Sequence, residues 1–234
     1  IPRYTEHGTD RTIFSNKPEG LPSDFTGSIP KNTEYAIINS LSGEGWDMNL
    51  SEGVRVLKAQ GVDYAYTPGS SQLKAIKEND PAKKDAVYEA IQGAKTLNVD
   101  MSELKTLLVG RDILPADSIT DLLDQGLELG AEALFVTDGA EGSYGATAEE
   151  KLWVGSVKVD KVKSTVGAGD AYMAAAVHKY FESGDLGQSM LWGSASGSFA
   201  VETIGAHENP PTTEQLVTRL NQQPPHMLEL QKAA

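Results

Sequence analysis

Short apolar runs and helix-period stripes alternate along most of this chain. Residues 34–41 form an apolar run closed by Ser42-Gly43, the pattern of a buried strand. Leu50, Val54 and Leu57 then fall at helical spacing within residues 49–60, with Gly61 as the stop. Residues 62–67 read as a second strand, broken by Pro68-Gly69. Asp80-Pro81 puts proline at the first position of a helix running to about residue 92, with Val87 and Ile91 on one face. Residues 96–99 predict a short strand and 101–109 a short helix. Ile119, Leu122, Leu123 and Leu127 make residues 117–129 an amphipathic helix, stopped by Gly130. Residues 133–137 are a strong strand with Asp138-Gly139 as its turn, and 152–154 and 157–162 read as short strands around Gly155-Ser156. Helices are expected at about 168–181, 186–203 and 212–220, and the tail from Gln222 is weakly patterned.

This alternation predicts an α/β fold with a mostly parallel sheet and crossover helices on its faces. In such folds ligands collect at the carboxyl ends of the strands. Residues 1–28 do not follow the pattern: residues 11–14 are a lone β-like run among polar, Gly- and Pro-rich stretches. Composition changes the picture in three ways. A hydrophobic content of 39% supports a packed core, while no run approaches the roughly 18 apolar residues of a membrane span. The net charge of −13 argues against nucleic acid or an anionic membrane as a nonspecific partner. There is no cysteine, which removes disulfides and thiolate chemistry and fits a cytoplasmic location. His7, His178, His207 and His226 show no metal-ligand spacing.

The most informative run is Ser164-Thr165-Val166-Gly167-Ala168-Gly169-Asp170, followed by the small-residue helix. A Gly-Ala-Gly turn leaves backbone N–H groups uncovered, and the helix start adds partial positive charge, so negative charge can sit there. Asp170 does not hold an anion; it takes a proton from an incoming hydroxyl. The competing reading is an ordinary helix start with an acidic residue in its first turn.

Two further stretches belong at strand ends. Thr137, Gly139 and Gly142 sit in Val136-Thr-Asp-Gly-Ala-Glu-Gly-Ser143, where glycines let the backbone approach a nucleotide; Asp-Gly is equally a hairpin turn. Asp100 and Glu103 lie three apart at a helix start. They fit a water-mediated Mg²⁺ site and, just as well, an N-cap with its capping-box partner.

Taken together these stretches resemble the PfkB/ribokinase family of sugar and nucleoside kinases. The resemblance covers about residues 9–221, is strongest over 100–211, and includes Gly8-Thr-Asp-Arg-Thr-Ile13 as a strand near the lid. It implies a three-layer α/β/α fold of the ribokinase type with its N-terminal part and lid incomplete. It divides the chain into 1–28 as lid or substrate-side strands, 29–221 as the nucleotide-binding domain and 222–234 as a tail. It implies ATP as cofactor with Mg²⁺ organised partly through Glu103, and a small sugar or nucleoside as substrate. Asp170 becomes the base, and Gly167, Ala168 and Gly169 the anion hole. Asp100, Thr137, Gly139, Gly142 and Ser194 fall on the nucleotide side. A homodimer and a K⁺ site are left open by it.

The chain also departs from the family pattern. Asp100 stands where the family has asparagine, and Ser164 replaces the aspartate of the monovalent-cation loop, whose later part matches residues 203–210. The acid that contacts ribose in ribokinases falls near Leu41, where there is none. The resemblance further expects a first βαβ segment, a Gly-Gly motif and a sugar-binding Asp or Asn within about a hundred residues ahead of Ile1. These departures keep a second expectation alive, a kinase-like fold serving as a binding or scaffold protein. A dinucleotide oxidoreductase fits poorly, since no Gly-x-Gly-x-x-Gly follows an early strand with an acidic residue beyond it.

Overall fold

The computed structural model describes residues 33–204 and 210–230, and the backbone of two further strands, β1 (Arg3–His7) and β2 (Asp10–Phe14), which pair antiparallel. Gly8 and Thr9 of the lid-strand motif, and residues 205–209 of the expected cation loop, lie outside the described residues. The main unit runs β3 (Tyr35–Asn39), α1 (Trp46–Gln60), β4 (Asp63–Thr67), α2 (Ser70–Lys77), α3 (Pro81–Ile91), β5 (Thr96–Asp100), α4 (Met101–Gly110), α5 (Ile119–Leu127) and β6 (Ala133–Thr137). It continues through β7 (Ser143–Ala146), β8 (Lys151–Val154), α6 (Ala168–Ser183), α7 (Leu186–Val201), α8 (Thr213–Gln222) and β9 (Met227–Glu229).

Local chemistry explains most boundaries. Gly61 ends α1 in the left-handed region, φ 66°, with its N–H returned to the Leu57 and Lys58 carbonyls. Asp80 caps α3 by accepting from Lys83 N–H, and Pro81 sits where a free N–H would be wasted. α2 is the helix that periodicity does not announce: it has eight residues, mostly polar, directly after Pro68-Gly69. Its hold is tertiary. Gln72 accepts from Gly69 N–H at 2.8 Å and donates to the Leu41 carbonyl at 2.6 Å.

All seven main strands form one mixed sheet in the order β3-β4-β5-β6-β7-β8-β9. The pairs from β3 to β6 are parallel, and those from β6 to β9 antiparallel. Successive side chains on a strand face opposite sides, and the buried residues sort accordingly. Tyr64, Tyr66, Leu97, Val99, Leu134 and Val136 pack with helices α1 to α5. Ala65, Ala133 and Phe135 pack with α6 and α7. Three layers result. The short α4 holds because Leu104, Leu107 and Leu108 are fully buried, each contributing about 2 kcal/mol against its weak intrinsic stability.

One expectation is corrected here. Residues 157–162 are not a strand: after Val154 the chain leaves the sheet, because β8 already has β7 and β9 on its two sides. Within the stretch expected as a tail, residues 227–229 pair with β8 as the strand at that edge. Among the described residues no helix is long and apolar enough to cross a membrane.

The topology lines up four strand ends. Asn39 pairs with Thr67 in register, and Asp100 with Thr137, so the carboxyl ends of β3 to β6 share one edge of the sheet.

Candidate active site

A cleft of about 760 Å³ opens over that edge, bounded on the other side by the start of α6 and by α7. Its size suits a nucleotide-scale ligand. α6 is held in place from below. Tyr172 donates to Ser143 Oγ at 2.9 Å, and its ring lies so close to α7 that a Cβ on Gly193 would come within 2.7 Å of it. Burial pushes the Tyr172 phenol up, so it remains a protonated donor.

The first turn of α6 is unlike those of α3, α4, α7 and α8, whose N-cap side chains accept a backbone N–H. Gly167 at the N-cap has φ 81° and supplies no side chain to do so. Ala171 N–H bonds back to the Gly167 carbonyl at 2.9 Å, and Ala168 N–H makes a longer bond to the Thr165 carbonyl at 3.3 Å. Among the described residues the N–H groups of Gly169 and Asp170 have no partner. These amides stand at the turn where the sequence expects an anion hole, with the Ala168 amide partly engaged. Asp170 is exposed at the cleft, and Asn39 Nδ2 donates to its Oδ1 at 3.5 Å. Asn39 was not among the sequence candidates; its signal is a polar side chain closing the run Ile37-Ile38 at a strand end.

Asp100 and Glu103 form the capping box. Glu103 N–H donates to Asp100 Oδ1 at 2.8 Å, and Asp100 N–H to Glu103 Oε2 at 2.9 Å. Ser102 Oγ adds a bond to Asp100 Oδ1 at 2.9 Å. Both acids nonetheless border the cleft beside Asp170. Burial pushes the Glu103 carboxyl up to about 7, the Asp100 N–H bond opposes this, and the charges of Asp100 and Asp170 add to the rise. Hard oxygen donors crowded until one resists ionising are a setting that a divalent cation relieves, so these residues fit Mg²⁺. Among the described residues no group of three or more His, Cys, Asp or Glu side chains is placed to hold a metal ion.

The Glu103 shift predicts a pH effect on stability. A carboxyl raised from 4.5 to about 7 on folding binds more protons in the native state between those values. Its contribution is full below the lower value and lost as pH rises through the upper one. In metal-free buffer, the melting temperature of the chain minus that of E103Q should therefore fall as pH goes from about 5 to about 8. A difference that is flat or rises with pH would contradict the assignment.

Thr137, Gly139 and Gly142 sit in a β6–β7 hairpin, as the Asp-Gly turn reading expects, and all three border the cleft. Asp138 N–H bonds to the Gly142 carbonyl at 2.8 Å and closes it. Ser156 Oγ reaches the Ala140 carbonyl at 2.7 Å, and Trp153 Nε1 the Glu141 carbonyl at 3.1 Å. Ser194 borders the cleft, but its hydroxyl is already paired twice, donating to the Gly155 carbonyl at 3.0 Å and accepting from Val157 N–H at 3.2 Å. In this geometry it positions the wall of the cleft. Ser164 Oγ accepts from Val166 N–H at 3.1 Å and shapes the turn before α6. The stretch after β4, which from sequence supports only the fold, places Thr67, Pro68, Gly69 and Ser70 along the cleft.

Comparison with known proteins agrees with this architecture. The chain matches the pfkB family of carbohydrate kinases over residues 6–213. It is 39% identical to a nucleoside kinase of Methanocaldococcus jannaschii over 89 residues, which are 38% of this chain and 30% of that protein. A 5-dehydro-2-deoxygluconokinase of Shouchella clausii is 26% identical over 84% of this chain and 65% of its own length. The crystal structure of the M. jannaschii nucleoside kinase superposes with a TM-score of 0.66 at 27% identity, covering 82% of this chain and 57% of that one. An Escherichia coli structure described as a ribokinase II in complex with ATP and Mg²⁺ gives a TM-score of 0.74 at 20% identity, over 92% and 68% of the two chains. The chain thus spans less than two thirds of the length of the first of these relatives. With its family signature, its three-layer fold and its strand-end cleft all in agreement, the chain belongs to the pfkB family of carbohydrate kinases.

Proposed function

We propose that this chain carries the phosphoryl-transfer half of an ATP-dependent kinase acting on a hydroxymethyl group of a sugar or nucleoside. The observation that carries the reading is the uncapped α6 start, with free amides and a carboxylate side by side in one cleft. Asp170 accepts the proton of the attacking hydroxyl. A new P–O bond forms from that oxygen while the bond to the leaving ADP oxygen breaks. The backbone amides of Gly167, Ala168 and Gly169 stabilise charge on the transferring group. The hairpin of Thr137, Gly139 and Gly142 lies against the nucleotide, with Ser194 holding the adjacent wall. Glu103, beside Asp100, would hold Mg²⁺ through water, and the ion when bound neutralises phosphate charge. Residues 1–28 are assigned to the acceptor side of the same site and 29–221, extended through β9, to the nucleotide side.

The test is ADP release in a coupled assay over a panel of sugars and nucleosides, with and without EDTA. Mg²⁺-dependent ADP formation with at least one acceptor is expected. The extra carboxylate of Asp100 favours a second reading, a nucleotide-binding protein with little turnover. ATP binding in calorimetry with no ADP from any acceptor would select it.

A further inference from the structure

Between β8 and α6 the chain is tied at two places. Val157 N–H and Ser156 Oγ anchor one end, to Ser194 and to the Ala140 carbonyl, and Lys163 N–H anchors the other to the Val201 carbonyl at 2.8 Å. Among the described residues, 158–162 make no hydrogen bond. Lys158 stands at the head of this span, exposed and, among the described residues, without an ion-pair partner. It borders the cleft. Of the charged residues that do so among those described, Asp100, Glu103 and Asp170 are acids and Lys158 is the single base. The bland alternative is a solvated loop lysine, and Lys161 on the same span, which does not border the cleft, is its example.

We propose that Lys158 is a polyphosphate-contacting residue: its Nζ pairs with a phosphate oxygen of the nucleoside triphosphate and orders residues 158–162 along the ligand. The inference rests on the ATP reading above. A cleft lined by three acidic residues, of which Glu103 is only partly ionised near neutral pH, repels a polyphosphate, and a cation on an untied span beside the hairpin meets that charge where the acids do not. The span keeps its backbone free of the sheet, so Lys158 moves to the ligand without breaking a hydrogen bond.

The experiment is calorimetric titration of the chain, K158M, K158R and K161M with ATP, ADP and adenosine in Mg²⁺. K158M should weaken ATP and ADP about tenfold, the scale of a charge-assisted hydrogen bond in a partly exposed site. Adenosine should stay within about twofold, K158R should keep most of the affinity and K161M all of it. Unchanged ATP affinity in K158M would overturn the proposal, as would an equal loss for adenosine, which would place the side chain against the nucleoside. If the unsubstituted chain binds neither nucleotide, the ATP reading itself fails and this inference with it. If it binds both and K158M matches it, only the role of Lys158 fails.

Discussion

Asp170→Asn should lower turnover by two or more orders of magnitude and leave ATP affinity nearly intact. The substitution keeps shape and size at the third position of α6. It also keeps an oxygen that accepts from Asn39 Nδ2, so the 3.5 Å contact survives. What it removes is the capacity to take a proton. Loss confined to turnover is the signature of a group whose interaction appears only in the transition state. A charge effect accompanies it. Burial is the main reason the Glu103 carboxyl stands near 7 and the Asp170 charge is the smallest contributor to the rise, so D170N should lower the Glu103 value only slightly. Measured by steady-state kinetics together with an NMR titration of Glu103, the two effects separate a base from a structural residue. Turnover close to that of the unsubstituted chain would remove Asp170 from the mechanism.

Which parts of this arrangement a sequence exposes depends on where the stabilising contacts lie. β6 is legible because both faces are buried and Ala133–Thr137 carries a dense apolar run, while β5 shows through Leu97 and Val99 although it also buries Thr96 and Asn98. α6 and α7 are legible because small residues crowd their contact and glycines close both ends of α6. α2 and β7 are not. The first depends on Gln72 bonding to the Leu41 carbonyl, 31 residues away, and the second, four residues with a glycine among them, depends on the β6 ladder. The opposite error has the same source. Residues 157–162 have strand-like composition, yet β8, the strand they follow, already has β7 and β9 on its two sides.

The lining of the cleft is more legible than its surroundings, because small residues and acids at strand ends are visible without partners. The Asp100–Glu103 ambiguity could not be resolved from spacing, since a capping box and an acidic cleft edge need the same two residues three apart. The structure shows the pair as a capping box that also borders the cleft. Asn39 escaped notice because its role comes from β3 lying opposite the start of α6, across 131 residues of chain.

Two glycines of the hairpin looked alike in sequence and should behave very differently when changed to alanine. Gly139 has φ 55° with open space where a Cβ would go, so G139A should cost only about 1 kcal/mol of backbone strain. Gly142 has φ 105° and ψ −134°, a conformation nearly closed to other residues. A Cβ there would run into the Val154 carbonyl oxygen and come within 2.7 Å of Gly155 Cα, both backbone atoms with no rotamer to escape into. Strain of about 1–3 kcal/mol and overpacking of similar size put G142A at roughly 3–5 kcal/mol. That is a large share of a typical domain stability of about 5–15 kcal/mol. For a chain of this size it corresponds to a fall of about 10 °C or more in melting temperature. The backbone approach matters to the cleft as well as to the fold. It fixes the hairpin against the segment that Ser156 and Ser194 tie down, so this wall of the cleft should loosen before the core does. In G142A, hydrogen exchange at residues 138–146 and 154–157 should therefore rise further than in the buried strand β5. Equal melting temperatures for G139A and G142A would show that the β6–β7 turn yields where the geometry says it cannot.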